Sequence, residues 1–166
     1  MEYLINLPIK IDCDKWLRIA EERELWPNNE KTLYFNSTYV PDELKNELLS
    51  YFKIPFDIAT FHKHYPGEGY RWHKDLNRQT VAICQISEDN PNIYLEIDDN
   101  ISIKKYHYTR GNFILFDGQI LHRVVNEETK KNRYIITMGW HKKNDLEYHS
   151  FYTLKQLFDR GTFIDL

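Results

Sequence analysis

From residue 54 to residue 140 the apolar residues recur at every second position, in short runs broken by turn signals. Alternation of this kind is typical of β-strands with one buried face, and turn dipeptides such as Asp117-Gly118 separate the runs. Seven or so short strands with frequent turns favour a β-sandwich or a β-barrel. The predicted strands lie at residues 54–65, 80–87, 93–97, 101–108, 112–116, 120–125 and 133–140.

The segment before residue 54 has a helical spacing of apolar residues, so two helices are predicted there. Asp12 or Asp14 can cap the first helix, and Pro41 opens the second, with acidic side chains near its positive end. Helices that precede the strands can cover one sheet, which indicates a mostly β protein of the α+β type. The other predicted elements are an edge strand at residues 3–10 that contains Pro8, a strand at 32–35 and a helix at 152–158.

Composition argues against several classes of protein. The 166 residues have a formal net charge of −3 and no long basic run, so nucleic acid is an unlikely partner on charge grounds. Cys13 and Cys84 have no metal-like spacing, and a disulfide framework is not expected. No apolar run is long enough to span a membrane, and the N-terminus lacks the apolar region of a signal peptide. We therefore expect a single, soluble, cytoplasmic domain over residues 1–166.

His73 and Asp75 form a His-x-Asp pair, and His122 follows on a later predicted strand. Side chains two residues apart on an extended backbone leave on the same face, so His73 and Asp75 can act together. Two imidazoles and one carboxylate can hold one face of a divalent metal and leave the opposite face open, as in the facial triad of non-haem Fe(II) oxygenases. Because a His-x-Asp pair arises readily by chance, the prediction depends on the residues around it.

Arg133 opens the last predicted strand and shares a face with Ile135, Thr137 and Gly139. An arginine on an apolar strand is buried only when it is paired, and a carboxylate matches the guanidinium fork best. Arg133 is therefore a candidate anchor for a dicarboxylate beside the metal. The alternative is an arginine at a strand end whose charge reaches solvent.

These residues resemble those of the Fe(II)/2-oxoglutarate-dependent oxygenases, and within that superfamily the prolyl-hydroxylase-like branch. The family pattern of His-x-Asp, a distal His and a basic residue on the last core strand is matched by His73-Lys74-Asp75, His122 and Arg133. The resemblance covers roughly residues 60–140. Its flanking segments are Tyr65-Pro66-Gly67-x-Gly69-Tyr70, Gly111 through Phe116, Leu121-His122-x-Val124 and Arg133-Tyr134-x-Ile136-Thr137.

The resemblance implies a double-stranded β-helix, or jelly-roll, core at about residues 54–142, with helical support from residues 12–52 packed on one sheet. It implies that the metal lies near one open end of this core. By this resemblance the metal ligands are His73, Asp75 and His122, and the 2-oxoglutarate-binding residues are Arg133, Tyr65 and Thr137.

The activity implied by the resemblance is hydroxylation of a C–H bond with Fe(II), 2-oxoglutarate and O2, with release of succinate and carbon dioxide. The related halogenases lack the carboxylate ligand, and Asp75 is present here, which favours hydroxylation. His73, Asp75, His122 and Arg133 are the candidate catalytic residues. The expected substrate is a prolyl residue or a small amino-acid-like molecule, and the sequence does not indicate which of the two or in what oligomeric state the chain works.

The sequence departs from the branch at two places. The strand over residues 80–85 lacks the Tyr that often contacts 2-oxoglutarate, and Asn90-Pro91-Asn92 replaces the usual Gly-Gly turn. Other residues near the motif have simpler explanations. His62 and His64 alternate out of phase with Tyr65, so both are predicted to face away from the site. Arg71 and Arg78 flank the motif and are predicted to be solvated, with an acidic substrate group as the alternative partner.

Two other functions remain open at this point. The same chemistry supports nucleic-acid dealkylation, but the demethylase relatives carry a second arginine on the last strand, where this chain has Gly139. Together with the net negative charge, this glycine argues against a dealkylase. The non-enzymatic alternative is a small jelly-roll binding module whose metal is structural or missing.

Overall fold

The computed structural model describes residues 2–27, 36–127, 129–142 and 149–164. In these ranges the helices are α1 (Cys13–Glu22), α2 (Asp42–Tyr51) and α3 (Phe151–Asp159). The strands are β1 (Leu4–Leu7), β2 (Trp26–Pro27), β3 (Asn36–Tyr39), β4 (Ile58–His64), β5 (Tyr70–His73), β6 (Arg78–Gln85), β7 (Ile93–Asp98), β8 (Ile103–His107), β9 (Phe113–Asp117), β10 (Leu121–Asn126) and β11 (Arg133–His141).

The strands form two antiparallel sheets that face each other. The large sheet has the order β1-β9-β6-β11-β4-β3-β2, and the small sheet has the order β5-β10-β7-β8. Strand β1 lies at an edge of the large sheet, as Pro8 predicted. Strand β11 lies in the middle, paired with β4 on one side and β6 on the other. This arrangement confirms the predicted mostly β fold with a jelly-roll core.

The outer face of the large sheet is covered by the helices, and we call it the helix-covered face. The three helices begin where the sequence predicted them, and the Asp12 side chain caps α1 by accepting a hydrogen bond from the Lys15 backbone N–H at 3.0 Å. Buried residues of all three helices, such as Trp16, Leu44 and Leu154, join one apolar cluster with the strands beneath them. The helices thus remove this face from water.

The inner face of the large sheet packs against the small sheet. Because side chains alternate along a strand, β11 presents Ile136 and Met138 to the helices and Ile135 to the interior between the sheets. The inner face meets apolar residues of the small sheet, among them Leu95 and Val124. The predicted assignment of Arg133, Ile135, Thr137 and Gly139 to one face of this strand agrees with this alternation.

Some predicted elements differ from the structure in extent. The strand predicted at residues 54–65 begins only at Ile58, and the short strands β2, β3 and β5 were not predicted. The strand predicted at residues 32–35 lies outside the described residues. Cys13 and Cys84 are both free thiols, as expected. Within the described ranges, none of the helices has the length and apolar character that crossing a membrane requires.

Candidate active site

Two neighbouring strands of the small sheet bring the predicted metal ligands together. His73 is the last residue of β5, and His122 lies directly opposite it on β10. Asp75 follows β5 after one intervening residue, and its backbone N–H donates to the Gly118 carbonyl at 2.8 Å. The ring centroids of the two histidines are 4.3 Å apart. One potential ligand atom from each of the three residues lies within 4.8 Å of the others.

Backbone carbonyls orient both imidazole rings. Nδ1 of His73 lies 2.6 Å from the Arg71 carbonyl oxygen, and Nδ1 of His122 lies 2.8 Å from the Ile120 carbonyl oxygen. A carbonyl oxygen can only accept, so each Nδ1 must carry the proton and each Nε2 keeps its lone pair. In metal sites, a hydrogen bond from the ring nitrogen that does not bind the metal typically fixes the orientation of a ligand histidine. Both rings are therefore in the tautomer that coordinates through Nε2.

The Asp75 carboxylate completes the cluster. Its Oδ1 lies 3.7 Å from Nε2 of His73, and its side chain is largely buried. Its Oδ2 is buried and has no hydrogen-bond partner among the described residues. A buried carboxylate oxygen without a donor is unfavourable unless a cation binds it. The donor set of two imidazoles and this carboxylate fits a divalent transition metal with open positions.

Burial keeps His122 ready to coordinate. Removal of its ring from water lowers the pKa of His122 to about 4, and the His73 ring beside it acts in the same direction. The charge of Asp75 opposes this shift, but burial has the larger effect. His122 is therefore neutral near pH 7, and a metal does not have to displace a proton from it.

Arg133 is buried in the same interior. Only 1% of its surface is exposed, its Nε donates to Oε1 of Gln85 at 3.0 Å, and its guanidinium lies 4.2 Å from the centroid of the Tyr108 ring. Neither Nη1 nor Nη2 has a hydrogen-bond partner among the described residues. Two parallel N–H donors left open on a buried guanidinium match the two oxygens of a carboxylate. The predicted burial of Arg133 agrees with the structure, and Gln85 and Tyr108 are neighbours that the sequence did not indicate.

A narrow cavity opens beside the three candidate ligands. Its walls include Tyr70 and Arg78, the inner-face residues Ile135 and Thr137, and His62. Arg133 is not one of the residues that line it and lies further along the same face of β11. Burial is the main cause that lowers the pKa of His62, followed by the charge of Arg78, and Arg133 makes a smaller contribution in the same direction. Arg133 lies directly opposite His64 on β4, two residues from the cavity-lining His62, so it is a close neighbour of the cavity wall.

The structure does not bring Tyr65 to the cavity. Its side chain is 38% exposed, and its hydroxyl accepts a hydrogen bond from Asn36 Nδ2 at 3.2 Å. His62 and His64, predicted to face away, are buried on the inner face as cross-strand neighbours of Ile135 and Arg133. One misassigned alternation along β4 explains both errors, because Tyr65 and these histidines do lie on opposite faces.

Tyr70 occupies the inner position predicted for Tyr65. Its hydroxyl lies 3.0 Å from Nδ1 of His62 and 3.1 Å from Nε2 of His64. Burial raises the pKa of the Tyr70 hydroxyl well above its usual value, so this group stays protonated and can donate. Strict alternation would have placed Tyr70 on the face opposite His73, three residues later. The irregular register, in which Tyr70 pairs with Val124 and His73 with His122, brings both side chains to the same interior, and the sequence carried no signal for it.

Arg78, predicted to be solvated, also lies in the site. Its Nη1 donates to Oγ1 of Thr137 at 3.1 Å, and its Nη2 donates to Oδ1 of Asp75 at 3.3 Å. Its side chain is 24% exposed. The structure thus places Thr137 on the cavity wall, with its hydroxyl accepting a hydrogen bond from Arg78, and its predicted role as a donor to 2-oxoglutarate stays a prediction.

Comparison with known proteins supports the fold. No protein-family model matches the sequence, and no characterised protein matches it at the level of sequence. Solved structures do match. A prolyl-4-hydroxylase from Pseudomonas putida is 15% identical, with a TM-score of 0.60 over 86% of this chain and 94% of that one. A prolyl hydroxylase from Trichoplax adhaerens, in complex with a hypoxia-inducible-factor peptide, is 13% identical, with a TM-score of 0.62 over 85% and 83%.

A third match is more distant in sequence. HygX from Streptomyces hygroscopicus, solved with nickel, 2-oxoglutarate and hygromycin B bound, is 8% identical, with a TM-score of 0.57 over 82% of this chain and 81% of that one. Identities this low relate folds and do not transfer substrates. The chain therefore has the jelly-roll fold of the Fe(II)/2-oxoglutarate-dependent oxygenases, in a form similar to that of the prolyl hydroxylases.

Proposed function

We propose that this chain is an Fe(II)- and 2-oxoglutarate-dependent dioxygenase that hydroxylates a C–H bond. The observation that carries the proposal is the cluster of His73, Asp75 and His122, in which both imidazoles are held with Nε2 free and the carboxylate has an unpartnered buried oxygen. A structural ion pair does not require this combination. An open metal site with three protein ligands requires both the free Nε2 atoms and the free carboxylate oxygen.

Arg133 supports the proposal that 2-oxoglutarate is the co-substrate. In the proposed assignment its two unpartnered Nη groups bind the far carboxylate of 2-oxoglutarate, while Gln85 and Tyr108 hold the guanidinium in place. A hydrogen bond from the protonated Tyr70 hydroxyl to the co-substrate is part of this proposal, in place of the one expected from Tyr65. The apolar residues Ile83 and Ile135 of the cavity wall exclude water from the bound co-substrate.

When bound, Fe(II) supplies the oxygen chemistry, in which one atom of O2 enters succinate as carbon dioxide leaves and the other replaces hydrogen as a hydroxyl group on the substrate. The residues of this chain orient the reactants. The carbonyls of Arg71 and Ile120 keep the two rings fixed, and Arg133 sets the depth at which 2-oxoglutarate binds. We propose a prolyl residue or a small amino-acid-like molecule as the substrate.

The test is an anaerobic titration with Fe(II) and 2-oxoglutarate, followed by the weak visible charge-transfer band of the chelate. We expect a band that is lost in His73→Ala and weakened in Arg133→Ala, and succinate formation when oxygen is admitted. His107→Ala is the matched control, because His107 is an exposed histidine on β8. If the folded, iron-loaded protein shows no band, the oxygenase proposal fails and a non-catalytic jelly-roll module takes its place.

A further inference from the structure

Arg78 is a second arginine of the site, and its place depends on a glycine. The Arg78 side chain starts on β6 and crosses the inner face of β11 at Gly139. A Cβ at position 139 would lie 2.4 Å from Cδ and 2.8 Å from Cγ of Arg78, closer than such atoms can approach. The missing side chain of Gly139 therefore leaves the space through which the Arg78 guanidinium reaches the cavity.

The partners of Arg78 distinguish it from the arginines on the surface. Arg123 pairs with Glu96, and Arg110 pairs with Asp14, both outside the cavity. Arg78 pairs with Asp75, the carboxylate that we assign to the metal. A divalent ion on Asp75 would take over the negative charge that now balances Arg78. With the ion on the unpartnered Oδ2 and Arg78 still at Oδ1, one carboxylate would face three positive charges, so the charge of Arg78 would be only partly balanced.

The net charge of the loaded site also indicates a missing anion. Asp75 is the one acidic side chain among the described residues that line the cavity, and Arg133, which lies further along β11, has no carboxylate bonded to Nη1 or Nη2 in the described part of the chain. With a divalent metal and the doubly negative 2-oxoglutarate bound, the two arginines and Asp75 leave the interior with an excess of one positive charge. An uncompensated charge in a largely buried site is unfavourable, and an anionic ligand would remove the excess.

The two arginines can serve two different anions. Thr137, to which Arg78 donates, lies four residues from Arg133 along an extended strand, roughly 13 Å away. Arg133 is fully buried, whereas Arg78 is partly exposed on the cavity wall. One co-substrate held at Arg133 therefore leaves Arg78, the more exposed of the two arginines, available to a second anion.

We propose that Arg78 binds a carboxylate of the prime substrate, so that the substrate is a small carboxylic acid, such as a free amino acid, and not an internal residue of a peptide chain. This inference rests on the proposed function and narrows its substrate class. Arg78 contacts Asp75 directly, so an anion bound to Arg78 lies beside the metal ligands and within a few bonds of the reacting carbon. An internal prolyl residue offers only neutral amides at that distance.

The geometry of Arg78 favours a carboxylate. Its Nη1 and Nη2 already donate to two separate oxygens, those of Thr137 and Asp75. The same pair of donors matches the two oxygens of one carboxylate in a bidentate arrangement. Lysine could not replace this fork, because its single ammonium group has no fixed pair of donors.

The test uses acetate as the probe, with protein loaded with Zn(II) and saturated with 2-oxoglutarate. Binding is followed at constant ionic strength through the backbone amide signal of Thr137 in nuclear magnetic resonance spectra. We expect a saturable shift with acetate and none with acetamide, which has the same shape but no charge. Arg78→Gln should weaken acetate binding by about 10- to 100-fold, the effect of losing a charged hydrogen-bond partner.

Two further variants test whether acetate binding depends on the position of Arg78 in the cavity and not on the total charge of the protein. Gly139→Ala keeps the Arg78 charge but fills the space beneath its side chain, so it should also weaken acetate binding. Arg123→Gln removes an arginine that pairs with Glu96 outside the cavity, and acetate binding should not change. If acetate binds Arg78→Gln as tightly as the wild type, the metal or the general surface holds it, and the proposal is wrong.

The failure of this inference can be told apart from failure of the proposed function. A wild-type protein that shows no Fe(II)–2-oxoglutarate band contradicts the oxygenase itself. A protein that shows the band but binds acetate independently of Arg78 contradicts only the assignment of Arg78. Inorganic phosphate that binds more tightly than acetate, and depends on Arg78, would overturn the choice of a carboxylate.

Discussion

The two faces of β11 differ in chemistry although they belong to one strand. Toward the helices the strand presents Tyr134, Ile136, Met138 and Trp140, which belong to the larger apolar cluster. Toward the small sheet, Arg133 and Thr137 alternate with Ile135 and Gly139. Because side chains alternate along a strand, β11 has one purely apolar face and one face that carries ionisable and hydroxyl groups.

Stability and function lie on opposite faces of the large sheet. On the helix-covered face, aromatic rings meet edge to face, as where Trp140 lies 5.2 Å from Phe52 between ring centroids. On the inner face, His62, His64 and Arg133 are buried polar groups whose desolvation opposes folding. We therefore expect substitutions on the first face to reduce stability and leave ligand binding intact, and substitutions on the second to have the reverse effect.

The largest effect is expected for Trp140→Ala on the helix-covered face. Trp140 is fully buried, contacts Phe52, Phe56 and Phe163, and donates from Nε1 to the Ile54 carbonyl at 3.1 Å. Its truncation leaves a cavity, so we expect the free energy of unfolding to fall by about 3 to 5 kcal/mol. Urea denaturation measures this change.

The folded fraction of Trp140→Ala should still bind Fe(II) with unchanged affinity, because its neighbours are all on the helix side of the sheet. Tyr152→Ala on α3 is a control in which a half-exposed ring is removed, and it should have a much smaller effect. A loss below about 1 kcal/mol for Trp140→Ala would show that the helix-covered face does not dominate stability.

The next largest effect, with the opposite sign, is expected for Arg133→Met. This change replaces a buried cation, two of whose nitrogens have no hydrogen-bond partner in the described chain, with an apolar side chain. Such replacements are often stabilising, so the ligand-free protein should gain about 1 to 3 kcal/mol in the free energy of unfolding. The wild type should gain about 2.7 kcal/mol from 2-oxoglutarate at a hundred times its Kd, and the variant should gain almost nothing.

Arg133→Lys serves as the matched control for this prediction. It keeps the charge but lacks the fork, so it should show no stabilisation and should still bind 2-oxoglutarate weakly. Thermal and urea denaturation with and without 2-oxoglutarate distinguish the cases. A clear loss of stability in Arg133→Met would mean that the bond to Gln85 and the contact with Tyr108 outweigh desolvation.

The mostly β fold and the pairing of His73 with Asp75 were predicted from local patterns, whereas the jelly-roll core and the addition of His122 came from the family resemblance. Period-two alternation marks a strand whatever its partners are, and His73 and Asp75 are close in sequence. Arg133 was identified by the physical conflict between its charge and its apolar strand. These local inferences did not need the register between distant strands, whereas the position of His122 opposite His73 depends on it.

The wrong predictions concern residues whose positions depend on strand register or on long-range packing. The inward face of β4 follows from its pairing with β11, and the wrong choice moved Tyr65 inward and His62 outward. The position of Arg78 depends on the space at Gly139, which comes from a different strand. In the sequence alone, that glycine indicated only a missing second arginine, and nothing linked it to Arg78.

The inner face should also make stability depend on pH. Burial is the largest cause that holds the pKa of His62 and of His64 well below the usual value, and Arg133 acts in the same direction. In the unfolded chain both titrate near pH 6.5. Below that pH the unfolded chain binds protons that the folded chain does not, so stability falls as pH falls, by up to about 1.4 kcal/mol per pH unit for each histidine.

The comparison of His64→Gln with the wild type isolates one of these histidines. Between about pH 6 and pH 5 the slope of unfolding free energy against pH should decrease by about 1.4 kcal/mol per unit at most. His107→Gln removes an exposed histidine and should leave the slope unchanged. An unaltered slope in His64→Gln would contradict the neutral, buried state of this ring.

The smallest effect is expected at the edge of the helix-covered face, where Asp12 caps the helix that buries Trp16. Asp12→Ala removes the acceptor for the Lys15 N–H, so the free energy of unfolding should fall by about 1 kcal/mol. Asp12→Asn keeps the acceptor and should lose much less. Because Asp12 touches none of the candidate ligands, both variants should bind Fe(II) and 2-oxoglutarate as the wild type does. A change in either affinity would show that the two faces of the large sheet are coupled, and the separation drawn from β11 would not extend to the helices.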